Sequence, residues 1–337
     1  MTQQRGMALV LVLWVISLLT IMAGSFALSM RREASITAGI KNNAQAMAVA
    51  ESGIAIAELM LLNPNLNQRW RADGSIYEII TTDAKVRVRL LSETGKIDIN
   101  KAEQVLLEAL MNTIPSTTEQ RSKLVGAILD WRDADDLVHS DGAEKNEYKA
   151  AGLNYQPRNK PFQTLEELQL VLGMNEAVFS QIEPLITIYS EQSKVSVQQA
   201  TKEVLQILPD LEASLIDTYM TARLDSAINN LPAPSFPSSL ELGITNAQPT
   251  LIGQPPTSEQ TNILTLVSEA VLNDESIAII SVVIKPLASL ATQSITSLQN
   301  PFQVLKWQQL TTNNRSLFVD AMSKLLVKQY AEPELNN

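Results

Sequence analysis

Residues 7–30 read MALVLVLWVISLLTIMAGSFALSM, and this stretch determines how the rest of the chain is organised. It contains no Asp, Glu, Lys or Arg, and it ends where Arg31 and Arg32 begin a polar region. An apolar helix needs ~20 residues to cross a bilayer. Residues 7–30 therefore predict one transmembrane helix.

A helical pattern continues from this stretch to residue 62. Apolar side chains recur every seven residues there, at Ile40, Met47, Ile54 and Leu61. Side chains at this spacing lie along one narrow stripe of a helix. Asn63 and Pro64 form a stop signal. A continuous helix over residues 7–62 would be about 84 Å long at ~1.5 Å per residue, so its second half can support whatever follows.

Three interpretations of this start are open. A secretory signal peptide would be cleaved after a small-residue site such as the one at residues 25–27, although the helical pattern runs on past it. A plain membrane anchor has to accommodate Arg31 and Arg32 on the far side, against a simple positive-inside orientation. A third interpretation removes a short basic leader, residues 1–6, by cleavage after Gly6.

The third interpretation is supported by a resemblance. Arg5 and Gly6, followed by MALVLVLWVISLLTIMA, resemble the class III leader of type IV pilins and of the pseudopilins of type II secretion. The resemblance implies that a prepilin peptidase cuts after Gly6 and that the new N-terminus, Met7, is methylated. These families usually carry a glutamate at the fifth mature position, where this chain has Leu11. Its absence is usual in one family, minor pseudopilin K, which residues 45–54 (QAMAVAESGI) also resemble.

Leu11 has a physical consequence if the chain enters a filament of packed helices. A buried carboxylate is costly unless it meets a cation, and the resemblance implies that the usual glutamate meets the amino terminus of a neighbouring subunit. A subunit with Leu11 offers no such pairing to a subunit above it. The resemblance therefore implies a position at the tip of the filament.

Composition excludes several functions for the 337-residue chain. The net charge of −10 opposes binding to a nucleic-acid backbone. There is no Cys for a thiol nucleophile or a disulfide, and His139 is the one histidine, which we interpret as a solvated loop residue. No Gly-rich phosphate loop is present. We therefore expect a protein that is not an enzyme.

The predicted fold class is α+β. Short-period alternation predicts strands within residues 76–100 and at residues 84–90, 265–270, 276–284 and 302–307. Residues 63–100 and 231–310 would form one pilin-like domain, a small antiparallel sheet packed on the long helix of residues 7–62. The Pro-rich residues 231–262 predict a linker or an irregular surface segment. The tail, residues 311–337, holds a helical run over residues 317–326 with no assigned role.

Residues 101–230 predict a large all-α insertion into that sheet domain. KIDINKAEQVLLEAL from Lys96 aligns with KVSVQQATKEVLQIL from Lys194, which indicates two units of one helical module. The module resembles helix-hairpin-helix, with PFQTLEEL at residues 161–168 as its second half and a capping box formed by Thr164 and Glu167.

The helix-hairpin-helix resemblance raises an alternative function, a membrane-anchored DNA receptor. DNA-binding hairpins present backbone amides to phosphate through a Gly-rich turn. The corresponding turns here, at residues 112–115 and 208–211, contain no glycine, and the acidic charge also opposes this function.

An acidic stretch lies between the two halves of the first module: Asp130, Asp133, Asp135, Asp136, Asp141 and Glu144. Oxygen-rich loops suit calcium, although the spacing is not that of an EF-hand. The candidate metal ligands are Asp133, Asp135, Asp136 and Glu144. The alternative is a solvated acidic loop whose Asp side chains cap helices, partly neutralised by Arg132 or Arg158.

The same stretch extends the family resemblance. DWRDADD, GAE and YQPRNKPFQTLEELQLVLGM, within residues 130–174, are similar to the minor pseudopilin K family in register, and members of that family are reported to bind calcium. The resemblance implies a minor pseudopilin that starts or caps a type II secretion pseudopilus. It implies I-type and J-type minor pseudopilins, the major pseudopilin, the prepilin peptidase and the assembly platform as partners. It also implies one pass through the bacterial inner membrane, with the bulk of the chain in the periplasm and no nucleic acid bound.

Overall fold

The computed structural model describes residues 5–209, 211–237, 252–253, 263–287, 300–310, 316–318 and 320–329. The first element is helix α1 (Arg5–Leu61), which is 57 residues long. It contains an apolar segment long enough to cross a membrane, as residues 7–30 predict. α1 ends one residue before the predicted boundary, and the chain turns at the predicted stop signal.

Short helices and strands follow α1. The helices are α2 (Gln104–Met111), α3 (Thr118–Arg132), α4 (Lys145–Ala150), α5 (Glu176–Ile182), α6 (Lys202–Leu205) and α7 (Ala213–Ile228). The strands are β1 (Asp73–Ile80), β2 (Ala84–Ser92), β3 (Ile97–Asp98), β4 (Ile186–Thr187), β5 (Val195–Ser196), β6 (Ile252–Gly253), β7 (Leu264–Leu272), β8 (Ile277–Pro286), β9 (Phe302–Leu310) and β10 (Leu326–Gln329).

Six of the strands form one sheet in the order β10-β1-β2-β7-β8-β9. Its pairings are antiparallel except that of β10 with β1. β2 shows why the sequence folds this way, because buried residues alternate along it with more exposed ones. Arg87, on the more exposed side, donates from Nε to Glu78 Oε2 of β1 at 3.0 Å. The predicted combination of a long helix and an antiparallel-rich sheet is confirmed.

The C-terminal part of α1 packs on this sheet through small side chains. Ala46, Ala50 and Ala57 are fully buried, and α1 lies over β2, β7 and β8. A Cβ at Gly53 would lie 2.3 Å from Ser268 Oγ on β7, so glycine is required for this close approach. The predicted seven-residue stripe is buried only in its later part, since Ile40 is 67% exposed.

The opposite face of the sheet is covered by the end of the chain. The structure does not show the single helical run predicted for residues 317–326. Residues Asp320–Leu325 form a 3-10 helix, and β10 follows. Glu269 of β7 is fully buried and accepts hydrogen bonds from Ser316 Oγ at 2.9 Å and from the Leu317 amide at 2.6 Å. Phe318 packs there against Ile76 and Ile279.

We expect Phe318→Ala to lower the free energy of unfolding by ~3–4 kcal/mol, because the ring fills the core of this face and truncation leaves a cavity. Denaturant unfolding followed by circular dichroism measures the loss. Leu66→Ala is the control, since Leu66 is 71% exposed and should change stability by less than about 0.5 kcal/mol. Equal stability of the Phe318 variant and the wild type would mean that this segment contributes nothing to the sheet.

The insertion forms a second core and repeats itself as the sequence echo indicates. Ala102 and Ala200 are both fully buried, as are Leu107 and Leu205. β3 and β5 occupy equivalent positions in the two units, and each makes a two-residue parallel pair, β3 with β4 and β5 with β6. Residues 101–230 are therefore mainly helical, but they contain β4 and β5, which the all-α prediction did not include. β3 was predicted within the sheet domain of residues 63–100, and it pairs with β4 instead.

Buried polar contacts hold the insertion against the sheet. Glu93 directly follows β2, is 2% exposed, and accepts from Lys96 Nζ and from Thr265 Oγ1 of β7, each at 2.6 Å. It also accepts from Thr187 Oγ1 of β4. A buried carboxylate is tolerated when it is paired and hydrogen-bonded in this way. Glu93 therefore joins the sheet to the insertion at their boundary.

Candidate functional site

The first surface with functional potential is the N-terminal part of α1. Its large apolar side chains are exposed, among them Leu9 (70%), Leu11 (63%) and Trp14 (73%). Gly6 and Met7, the predicted processing residues, lie in the first turn of α1, and nothing is described of their side chains. An apolar surface of this length has to be covered by lipid or by other helices.

The second candidate site is a carboxylate cluster in the insertion. Asp130 lies in the last turn of α3, Asp133 is the residue after α3, and Glu144 immediately precedes α4. The loop between them folds back over α3, where a Cβ on Gly142 would meet Asp130 Oδ2 at 2.1 Å. This glycine allows the loop to close over Asp130, which is fully buried.

Three carboxylate oxygens of this cluster are buried and have no hydrogen-bond partner: Asp130 Oδ2, Asp133 Oδ1 and Glu144 Oε1. The other oxygen of Asp130 is satisfied, since it accepts from the His139 amide at 3.0 Å and lies 2.5 Å from His139 Nδ1. Buried acceptors are almost always paired in native proteins, and an unpaired one costs free energy. The cluster therefore presents oxygens that are available to a positively charged ligand.

The raised pKa values of two carboxyl groups in the cluster also indicate a site for a cation. The pKa of Glu144 is raised to about 7, first by burial and then by the negative charges of Asp130, Asp133, Asp136 and Asp135. Burial and the charge of Asp135 also raise the pKa of Asp133. Like charges held this close repel one another unless a cation lies between them.

The outer part of the loop is fixed by hydrogen bonds within it. Asn159 Nδ2 donates to the Asp135 carbonyl at 2.7 Å and to Asp136 Oδ1 at 2.8 Å. Asp135 Oδ1 accepts from the Leu137 amide at 2.9 Å, and Asp141 Oδ2 accepts from Ser122 Oγ at 2.8 Å. These contacts position the loop without neutralising its charge.

The structure divides the predicted metal ligands. It places the carboxylates of Asp133 and Glu144 beside Asp130, whereas Asp135 and Asp136 are exposed and support the loop. Sequence reasoning left Asp130 out of the ligand set because its burial depends on the folding of the loop. It also interpreted His139 as solvated, although Nδ1 of this half-exposed residue contacts Asp130 and lies 3.4 Å from Asp133 Oδ2.

The two arginines suggested for the alternative interpretation make their hydrogen bonds outside the cluster, although the charge of Asp133 acts on Arg132. Arg132 donates from Nη1 to the Ile99 carbonyl at 2.6 Å and from Nη2 to the Ala102 carbonyl at 2.7 Å. Arg158 pairs with Glu167, at 2.9 Å between Nη1 and Oε1. Both guanidinium groups are engaged in these contacts, outside the cluster.

The residues fit a hard divalent cation. Coordinating atoms of Asp130, Asp133 and His139 all lie within 4.8 Å of one another, and Glu144 adds a buried carboxylate. Calcium takes six to eight oxygen ligands, mostly from carboxylates, carbonyls and water. Asp130, Asp133 and Glu144 would hold it, and the ion would supply the positive charge that orders the loop between α3 and α4.

The known proteins that are similar to this chain share one description, type II secretion system protein K. A family model described as type II secretion system (T2SS), protein K, matches residues 84–191. A protein of Klebsiella pneumoniae named type II secretion system protein K is 28% identical over 211 residues, which is 57% of this chain and 64% of that protein. Its namesake in Pseudomonas aeruginosa is 24% identical over 243 residues, 65% of this chain and 72% of that protein. Residues 84–191 of this chain are thus similar to the type II secretion system protein K family. The chain aligns with just under two thirds of the Klebsiella relative's length.

A solved structure has a similar fold. A chain in the crystal structure of the GspK-GspI-GspJ complex, from the type 2 secretion system of enterotoxigenic Escherichia coli, is similar with a TM-score of 0.51 and 17% identity. The alignment covers 84% of this chain and 99% of that chain. The segment matched by the family model includes the carboxylate cluster but not α1, whose processing is therefore not addressed by the match.

Proposed function

We propose that this protein is a minor pseudopilin at the tip of the type II secretion pseudopilus, where it starts or caps assembly for the export of folded proteins. The observation that carries the proposal is the shape of α1. Its first part stands clear of the folded domain with apolar side chains exposed, and its last part packs on the sheet. Such a helix can lie in a membrane and afterwards pack among other helices of the same kind.

The first residues of the chain support the proposed cleavage of the leader and the proposed place of the subunit in the filament. Cleavage after Gly6 and methylation of Met7 would release the apolar part of α1 from its leader. Leu11 has no carboxylate to pair with the amino terminus of a subunit above it, and its 63% exposure leaves it free to contact a neighbouring apolar helix. The large insertion at the other end of the molecule also favours a terminal position, because it has no counterpart in a small pilin-like sheet domain.

The partners we propose are the I-type and J-type minor pseudopilins, the major pseudopilin, the prepilin peptidase and the assembly platform. The similar chain of known structure comes from a GspK-GspI-GspJ complex, which supports the first two. The location we propose is the bacterial inner membrane, crossed once by residues 7–30, with the remainder of the chain in the periplasm. The role is structural rather than catalytic, in keeping with the family.

We also propose that the insertion consists of two helix-hairpin-helix-like modules. The equivalent burial of Ala102 and Ala200 and the equivalent placement of β3 and β5 support two copies of one unit. DNA binding by these modules is not favoured, because the chain is acidic and the turns at residues 112–115 and 208–211 contain no glycine.

Calcium is the cofactor we propose for the carboxylate cluster. The unpaired oxygens of Asp130, Asp133 and Glu144 support it, and Asp135 and Asp136 add negative charge nearby. The ion would stabilise the loop between α3 and α4 and would take no part in a chemical reaction.

Assembly with partners is the test of the proposed function. The full chain in detergent should sediment faster when I-type and J-type pseudopilins are added, at micromolar concentrations or below, because subunits of one tip complex bury apolar helix surface together. Sedimentation velocity of each pair and of the three together measures this. An unchanged sedimentation coefficient for this chain at every partner concentration would contradict the proposal.

A further inference from the structure

His139 differs in its chemistry from the other groups of the carboxylate cluster. Nδ1 of its ring lies 2.5 Å from Asp130 Oδ1 and 3.4 Å from Asp133 Oδ2. Calcium takes oxygen ligands, whereas an imidazole nitrogen is a preferred ligand of zinc and of other late first-row metal ions. A calcium site alone therefore does not explain a ring nitrogen that faces two carboxylates.

The backbone holds His139 at this position. Its amide donates to Asp130 Oδ1 at 3.0 Å, and its carbonyl accepts from the Gly142 amide at 2.8 Å. Gly142 in turn packs directly on α3, since a Cβ at Gly126 would lie 2.7 Å from Gly142 Cα. The part of the loop that carries the imidazole is therefore fixed against the helix that carries Asp130.

A hydrogen bond between the imidazole and Asp130 does not complete the cluster. Asp130 Oδ2, Asp133 Oδ1 and Glu144 Oε1 still have no hydrogen-bond partner among the described residues. Asp130 and Glu144 are 0% and 3% exposed, so water does not replace the missing partners. Buried carboxylates of this kind are stabilised by a cation that they share. The side chains thus offer one nitrogen and three carboxylate groups to the same ion.

One nitrogen and three carboxylates match the ligands of zinc. Zinc in structural sites is almost always four-coordinate, with histidine nitrogen and carboxylate oxygen ~2.0–2.2 Å from the ion. Two ligands of such a tetrahedral ion lie about 3.4 Å apart. His139 Nδ1 and Asp133 Oδ2 have this separation. Calcium would have to complete its six to eight ligands with water or backbone carbonyls.

We propose that His139 is a metal ligand and that, with Asp130, Asp133 and Glu144, it makes the carboxylate cluster a site for zinc, which competes there with calcium. Calcium would use the carboxylates and leave the imidazole free, whereas zinc would use both. This inference rests on the proposed cation site and adds the ion that the site selects.

NMR of the histidine ring gives a direct measurement on the full chain. His139 is the one histidine of the sequence, so untagged protein with isotopically labelled histidine gives ring signals from this residue alone. Zinc chloride added to the metal-free protein in detergent should shift one ring-nitrogen resonance to the range of a metal-bound nitrogen, and calcium chloride should not. Ring-nitrogen resonances that zinc leaves unchanged would overturn the inference.

His139→Asn separates the nitrogen ligand from the carboxylates. The asparagine amide can still donate to Asp130 but does not bind zinc, and its side-chain oxygen suits calcium. Isothermal titration calorimetry should show zinc affinity lowered at least ~10-fold and calcium affinity changed less than about threefold. Asp141→Asn is the control, because it removes an exposed carboxylate of the same loop and asparagine tolerates its φ of 60°. It should weaken both ions by the same small factor.

The outcomes separate this inference from the proposed calcium cofactor. Wild-type protein that binds calcium but not zinc would overturn the inference alone. Zinc affinity that is equal in the wild type and in His139→Asn would show that the imidazole is not a ligand, with the same consequence. Wild-type protein that binds neither ion would contradict both ideas.

Discussion

Replacing Glu144 with Gln should change thermal stability in opposite directions with and without calcium. Without calcium at pH 8, the variant should melt a few degrees higher than the wild type, because the wild-type carboxylate is held near Asp130, Asp133 and other negative charges that raise its pKa to about 7. With calcium, the wild type should gain on the order of 5 °C, since a ligand at 100 times its Kd adds ~2.7 kcal/mol. The variant should gain little.

The pH dependence of this effect has a definite sign. The folded-state pKa of Glu144 lies above its ordinary value of 4.5, so the penalty is small near pH 5 and complete above about pH 7. The advantage of the calcium-free variant should therefore vanish at pH 5. Differential scanning calorimetry with EGTA or calcium measures both effects, and Glu176→Gln, at an exposed position on α5, is the control. An equal calcium-induced shift in variant and wild type would exclude Glu144 as a ligand.

Arg223→Met should cost ~3–5 kcal/mol of unfolding free energy, a large loss for one side chain. Arg223 of α7 is 3% exposed. It donates from Nη2 to the Asp73 carbonyl at 2.6 Å and from Nη1 to the Ala200 carbonyl at 2.8 Å, and its Nε lies 3.4 Å from Asp73 Oδ2. Methionine keeps the apolar stem but leaves the buried Asp73 carboxylate and both carbonyls without this donor.

The controls for Arg223 separate burial from charge. Arg223→Lys keeps the charge but loses the forked geometry, so it should lose an intermediate amount. Lys202→Met breaks a comparable ion pair with Asp217, but both side chains are well exposed, and the loss should stay below about 1 kcal/mol. Denaturant unfolding monitored by circular dichroism measures all three. Equal losses for Arg223→Met and Lys202→Met would mean that the buried contacts do not join the insertion to the sheet.

Local pattern was sufficient to predict much of the fold. The alternation at residues 84–90 predicts β2, whose burial follows the same period. The strands predicted at residues 265–270, 276–284 and 302–307 likewise overlap β7, β8 and β9. The alternation in β2 is readable because one of its faces is more exposed. β7 and β8 are buried on both faces and therefore read as nearly continuous apolar runs. The echo between Lys96 and Lys194 also predicted the equivalent placement of β3 and β5.

Contacts between distant residues could not be predicted in this way. β10 forms because β1 has a free edge, and nothing local to residues 326–329 indicates that edge. The capping box predicted for Thr164 and Glu167 is wrong: Thr164 makes no capping hydrogen bond, and Glu167 accepts from the Gln163 amide at 2.9 Å and from Trp131 Nε1 at 3.0 Å. The carboxylate cluster follows the same rule, since Asp130 and Glu144 meet only when the loop closes over Gly142. The linker prediction for residues 238–251 and 254–262 lies outside the described residues.

The mass of the N-terminal peptide from protein purified out of membranes tests the central claim most directly. A peptide that begins at Met7 and carries one extra methyl group would establish prepilin-type processing after Gly6, as a pseudopilin requires. A peptide that begins at Leu28 would show an ordinary signal peptide cleaved after Ala27. That result, or an intact Met1, would contradict assembly of this chain into a pseudopilus.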